Sequence, residues 1–181
     1  MSELVEHEFN TGKGIVHYWT SRCSSALVRN APWLVFLPGL TADHTLFDGQ
    51  IDYFAGKCNV FVWDAPAHGL SRPYPLDFSM DDYARILHTI LQAEDIQRPV
   101  LVGQSLGGYV AQAYMDLFPD CVSGFISLDS APLKKNIIQN GKLLRCVTRK
   151  ACTLPFPGVC FCAGDLRERR KRSTVGQTCV P

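Results

Sequence analysis

The sequence predicts an α/β protein: a mainly parallel sheet with helices on both faces, preceded by an N-terminal antiparallel hairpin. Three observations carry this reading. Short runs that are apolar throughout, such as Trp33-Leu-Val-Phe-Leu37 and Asn59-Val-Phe-Val-Trp63, mark strands covered on both faces. Stretches with apolar residues at helical spacing separate those runs, which implies βαβ units with right-handed crossovers. Two strand-like runs near the start are joined by Thr11-Gly-Lys-Gly14, which implies a hairpin.

The elements follow in chain order. Glu3 to Trp19 forms the hairpin, with His7 and His17 on the strand surface. The apolar strand Trp33 to Leu37 runs into Pro38-Gly-Leu-Thr-Ala-Asp43. Phe47, Ile51 and Phe54 recur at helical spacing, and the strand Asn59 to Trp63 ends in Asp64-Ala-Pro-Ala-His-Gly-Leu-Ser-Arg-Pro73. In the clearest helix Ser79 caps the first turn with Asp82, and Tyr83, Ile86, Leu87, Ile90 and Leu91 form one apolar stripe. His88 falls off that stripe and reads as solvated. A strand over Val100 to Val102, a helix with Val110, Ala113, Tyr114 and Leu117 on one face, and a strand from Val122 to Leu128 complete the alternation.

Ser105 lies where the strand Val100 to Val102 gives way to a helix, with Gly103 and Gly107 two residues away on either side. Gly-x-Ser-x-Gly between strand and helix is the pattern of a nucleophile elbow. The glycines let strand and helix approach while the serine holds a strained backbone and presents its hydroxyl above the sheet. The first turn of the helix leaves N–H groups unpaired, and the one on Leu106 is suited to hold a negative oxygen.

With 46% hydrophobic and 19% charged residues, the composition is ordinary for a soluble globular protein. No apolar run approaches the ~20 residues that span a bilayer. The N-terminus is acidic where a secretory signal would be basic, so the expected location is cytoplasmic. Charge divides the chain in two: residues 1–133 hold 7 Lys/Arg against 15 Asp/Glu, and residues 134–181 hold 11 against 2, giving −8 and +9. Cys146, Cys152, Cys160, Cys162 and Cys179 crowd the second part, and all five histidines lie in the first. The chain is therefore read as a main domain, 1–133, followed by a basic, Cys-rich tail, 134–181.

Residues 3 to about 133 resemble the N-terminal part of an α/β-hydrolase. Gly103-Gln-Ser-Leu-Gly107 resembles that family's nucleophile elbow, Phe36-Leu-Pro-Gly-Leu40 its loop after the third strand, and Asp64-Ala-Pro-Ala-His-Gly-Leu-Ser71 its turn after the fourth. Pro38 stands where the family often has His, and Ala67 where it often has Gly. The resemblance implies a serine hydrolase acting on a small acyl substrate, an ester, a thioester or a carbon–carbon bond next to a carbonyl, with no cofactor and no metal. Ser105 would be the nucleophile, and the backbone N–H groups of Leu40 and Leu106 the oxyanion hole. A second reading of Pro38-Gly39 is a simple turn.

The family's chain order is Ser, acid, His, and no histidine follows Ser105. His44 and His68 lie on loops at the carboxyl ends of strands and are the only stand-ins, although His68 also reads as a turn residue. Asp129 occupies a position some relatives use for the acid and also reads as a solvated aspartate. Asp165 and Glu168 sit in an arginine-rich run, where a solvated cluster is the simpler reading. By this account the chain lacks its triad acid and base and is nearly inactive.

In the tail the cysteines lack paired Cys-x-x-Cys spacing for zinc, and Arg167 to Arg172 reads as a solvated run rather than a nucleic-acid patch. The preferred explanation is a segment out of register with an ancestral gene, through a frameshift or an early stop. The strand Val122 to Leu128 or its neighbour would then be an exposed edge, and poor solubility is expected. The alternative function is a non-catalytic protein that binds an acidic partner through the basic tail. Oligomeric state is not encoded in any of these features.

Overall fold

A computed structural model describes residues 4–24 and 31–130 with their side chains, together with the backbone of 145–146 and 159–163. The strands are β1 (Val5–Asn10), β2 (Ile15–Ser21), β3 (Trp33–Leu37), β4 (Asn59–Trp63), β5 (Val100–Gln104), β6 (Gly124–Leu128), β7 (Arg145–Cys146) and β8 (Val159–Ala163). The helices are α1 (Asp48–Phe54), α2 (Met80–Ala93) and α3 (Leu106–Leu117). One eight-stranded mixed sheet has the order β1-β2-β4-β3-β5-β6-β8-β7. Its centre is parallel, β4 to β3 to β5 to β6. The expected hairpin β1–β2 is antiparallel and joins that centre through β2–β4.

Two apolar layers sandwich the sheet. Leu87, Ile90 and Leu91 of α2 and Val110, Ala111 and Tyr114 of α3 pack with Val35, Phe61 and Leu101. On the other face Phe47 and Ile51 pack with Phe36, Val60, Val62 and Trp19. Alternate residues of each central strand feed alternate faces, which is why these strands read as unbroken apolar runs. Among the described residues no helix is long and apolar enough to cross a membrane.

The outer neighbour of β6 differs from expectation. β8 pairs with it antiparallel, from Phe125↔Cys162 to Leu128↔Val159, so β6 is not an edge. The two-residue β7 lies outside β8. Pro155, Pro157 and Gly158, which suggest broken structure, stop just before Val159 and therefore bound a strand rather than interrupt one. The edge expected at β6 or its neighbour therefore falls on the neighbour, since β8 is paired outward only at Cys162 and Ala163 among the described residues. The remaining tail features, the arginine run with Asp165 and Glu168 and the cysteine side chains, lie outside the described residues.

Helix α2 starts on a complete capping box. Ser79 Oγ accepts from the Asp82 N–H at 3.3 Å, and the Asp82 carboxylate accepts from the Ser79 N–H at 2.7 Å. Those bonds to Ser79 hold the Asp82 carboxyl below its usual value. A carboxyl depressed in the folded state contributes stability above the ordinary carboxylate range, and this is lost as pH falls through that range. Ser79→Ala is expected to lower stability by about 1 kcal/mol, read as a shift in the urea midpoint at constant m-value.

His88 is not solvated. Its ring stacks on Phe118 at 3.8 Å between centroids and 8° between planes. Its Nδ1 is hydrogen-bonded to the Tyr114 hydroxyl at 3.0 Å. The apolar stripe of α2 is wider than aliphatic residues alone suggest, because the C-terminal end of α3 offers an aromatic floor for the imidazole. Burial lowers the His88 pKa, so its neutral form is favoured in the fold and its contribution is lost as pH falls below the usual histidine range.

Candidate active site

Three parallel strands end side by side, and the loops that leave them build the site. β5 stops at Gln104 and α3 begins at Leu106, leaving Ser105 alone between them with φ 48° and ψ −112°. A non-glycine residue in such a conformation costs on the order of 1–3 kcal/mol and persists only where its surroundings impose it. Here they do. The Ser105 N–H donates to the Leu128 carbonyl at 2.9 Å, and the Ser105 carbonyl accepts from the Gly108 N–H at 3.0 Å and from the Ser130 hydroxyl at 2.9 Å.

Glycines make that turn sterically possible. A Cβ on Gly103 would overlap the backbone of Gly107 and Gly108, and one on Gly107 would overlap the Leu37 carbonyl. Gly108, which the motif does not single out, is a third such position, because its open side is filled by the Ser130 hydroxyl. The parallel register Leu37↔Gly103 carries Pro38-Gly39-Leu40 past the start of α3. At Gly39 the space of a side chain is occupied by the Gln104 amide. Leu40 is 66% exposed. Among the described residues neither the Leu40 nor the Leu106 N–H is used in a backbone hydrogen bond outside the helices and strands.

The loop after β3 is tied to the loop after β4 by a fully buried carboxylate. Asp64 accepts from the His44 N–H at 2.7 Å, is hydrogen-bonded to His44 Nδ1 at 3.0 Å, and accepts from the Leu70 N–H at 2.7 Å. Trp19 stacks on the His44 ring at 3.7 Å. Gly69, at φ 44°, turns tightly beside the Asp64 carboxylate, and a Cβ there would overlap it. Ala67, which replaces the glycine common in the resembling motif, adopts a left-handed φ of 65° with its N–H bonded to the Ser71 carbonyl. The departure in sequence leaves the turn intact.

All five histidines lie among the described residues, and each has a hydrogen-bond partner other than Ser105. His7 bonds Thr20, His17 bonds Glu6, His44 bonds Asp64, His68 bonds the Pro66 carbonyl and His88 bonds Tyr114. Of the two stand-in positions, His44 ties its loop to Asp64 through Nδ1, and His68 bonds within its own turn. Asp129 is exposed at the end of β6 with φ 52°. Sequence reasoning missed Ser130, whose hydroxyl bonds both Ser105 and Leu128 carbonyls. The signal was a Ser two residues after the end of the strand that adjoins Ser105.

The family model for the alpha/beta hydrolase fold matches residues 32–144, and the chain belongs to that family. Its match runs past the change in charge at residue 134. Similar curated proteins include an uncharacterised protein of Mycobacterium bovis, 29% identical over 108 residues, which cover 60% of this chain and 32% of that one. Another is the 2-succinyl-6-hydroxy-2,4-cyclohexadiene-1-carboxylate synthase of Escherichia coli, 39% identical over 80 residues, covering 44% of this chain and 31% of that one. An α/β hydrolase from Novosphingobium aromaticivorans superposes with a TM-score of 0.64 at 22% identity, covering 80% of this chain and 47% of that one. The matched stretch is about a third of the length of these curated relatives (32% and 31%).

Proposed function

We propose that this chain carries the nucleophile and oxyanion side of an acyl-transfer site, with Ser105 as nucleophile and the Leu40 and Leu106 N–H groups as oxyanion donors. The observation that carries this reading is the forced backbone of Ser105, φ 48° at a strand-to-helix turn. Nothing in sheet or helix packing alone requires a serine there. Its Oγ adds to a carbonyl carbon, the carbonyl electrons move to oxygen, and two N–H dipoles receive that charge. Each such donor lowers a barrier by ~3 kcal/mol in serine hydrolases. The substrate class is a small ester, thioester or ketone with a cleavable carbon–carbon bond, in keeping with the family resemblance.

No histidine follows Ser105 in the sequence, so the base that the family supplies after the acid is missing from its usual place in the chain order. Loss of a triad histidine costs on the order of 10⁶ in kcat, so sustained turnover is expected to be very low. Added imidazole supplies the missing base. A fluorophosphonate probe is expected to label Ser105 at a rate that rises with imidazole concentration, and Ser105→Ala is expected to abolish labelling. Equal labelling of Ser105→Ala, read by peptide mass, would sink the assignment.

The same lack of a base favours a second reading, a non-catalytic family member that binds an acidic partner through its tail of 11 Lys/Arg against 2 Asp/Glu. Salt-sensitive binding to an acidic polypeptide together with no imidazole-dependent labelling would support it instead.

A further inference from the structure

Two thiols, Cys23 and Cys58, lie just beyond the paired ends of β2 and β4. β2 and β4 run antiparallel with the register Trp19↔Val62 and Ser21↔Val60. Carried two residues past the end of β2, that register sets Cys23 opposite Cys58. Side chains two apart share a face of the sheet. Trp19, Val60 and Val62 belong to one apolar layer and Cys58 packs against it, so Cys23 and Cys58 project on that same side.

Contacts beyond the strand end keep Cys23 in place. Its N–H donates to Asn59 Oδ1 at 2.8 Å, and its thiol donates to the Gly56 carbonyl at 3.0 Å. Both cysteines are free thiols and both are partly exposed. Burial raises the Cys58 pKa, with a further rise from the nearby Cys23 sulfur and an opposing effect of Lys57. Directly opposed residues of an antiparallel pair have Cα atoms about 4.5–5.5 Å apart. Disulfides span Cα separations of about 4.4–6.8 Å.

We propose that Cys23 and Cys58 are a reversible disulfide site that fastens the end of β2 to the entry of β4. The reaction is exchange with a small-molecule disulfide. One cysteine thiolate attacks a sulfur of that disulfide, forming a mixed disulfide and expelling a small thiolate. The second cysteine thiolate attacks the protein sulfur of the mixed disulfide and expels the other small thiolate. Two protein thiols are oxidised, the small disulfide is reduced to two thiols, and the two protons pass to these. The closed loop contains β3, α1 and the Pro38 to Leu40 loop, so the link ties down the frame that carries Leu40.

The test is incubation of the whole chain with oxidised glutathione, then peptide mapping without reduction. The expected product is a Cys23–Cys58 linked peptide, lighter by two hydrogens than the two thiol peptides together. Cys23→Ser is expected to carry glutathione on Cys58 and to form no such link. Separate glutathione adducts on Cys23 and Cys58 of the unmutated chain, or no reaction at either, would overturn the proposal. A link also closes a loop in the unfolded chain, so the thermal midpoint is expected to rise by several degrees on oxidation and not to rise in Cys23→Ser. A linked chain whose midpoint stays unchanged would overturn the fastening role.

Discussion

Gly107→Ala is expected to destabilise the protein by about 3 kcal/mol or more, or to prevent folding altogether. The added methyl would overlap the carbonyl oxygen of Leu37 and press on that of Pro38. Both are backbone atoms of a buried central strand and its exit, so neither can swing aside as a side-chain tip would. Relief requires α3 to lift from β3, which opens the layer of Val110, Ala111 and Tyr114 against the sheet. Overpacking of a tight core costs about 1–3 kcal/mol where side chains absorb it, and more where backbone must move. Chemical denaturation checks the magnitude. Gly49→Ala in α1 is the matched control, since a Cβ there meets nothing within 4 Å. It is expected to gain up to about 1 kcal/mol from helix propensity. Equal effects at the two positions would show that glycine content, not the crossing of strand and helix, is what matters.

Asp64→Ala is expected to cost about 3–5 kcal/mol, the range for removing one partner from a buried charged network. The carboxylate is fully buried and satisfies three donors on two loops. Its loss leaves the partly buried His44 and Leu70 N–H groups without their acceptor and releases the His44 ring from the same carboxylate. The loop holding Gly39 and Leu40 loses its anchor in the same step. Two readouts should therefore move together: the denaturation midpoint falls, and imidazole-dependent labelling of Ser105 slows even at temperatures where the variant stays folded. Retained labelling with a lowered midpoint would confine Asp64 to stability and detach it from the proposed role of the Gly39–Leu40 loop.

How far the chain could be read in advance follows from how local each signal is. The strands β3 and β4 and the Ser79 cap of α2 are written in contiguous residues, and the structure has them at those residues. The strand-to-helix turn at Ser105 was legible because strand, glycines and helix are adjacent in sequence. What was not legible depends on partners distant in the chain. His88 reads as a solvated residue until Phe118 and Tyr114, some thirty positions on, are brought beneath it. Asp64 reads as the first residue of a turn, and only folding shows that it reaches back to His44. β8 was obscured because an antiparallel strand arriving from a compositionally foreign segment has no local mark that names β6 as its neighbour.

The Ser130 hydroxyl has a consequence for the neighbouring peptide group. The Ser105 carbonyl it bonds and the Leu106 N–H belong to one planar amide, in which oxygen and hydrogen point to opposite sides. Fixing the direction of the first fixes the direction of the second. A hydroxyl on the chain leaving β6 thus sets the direction of the first N–H dipole of α3 without touching it.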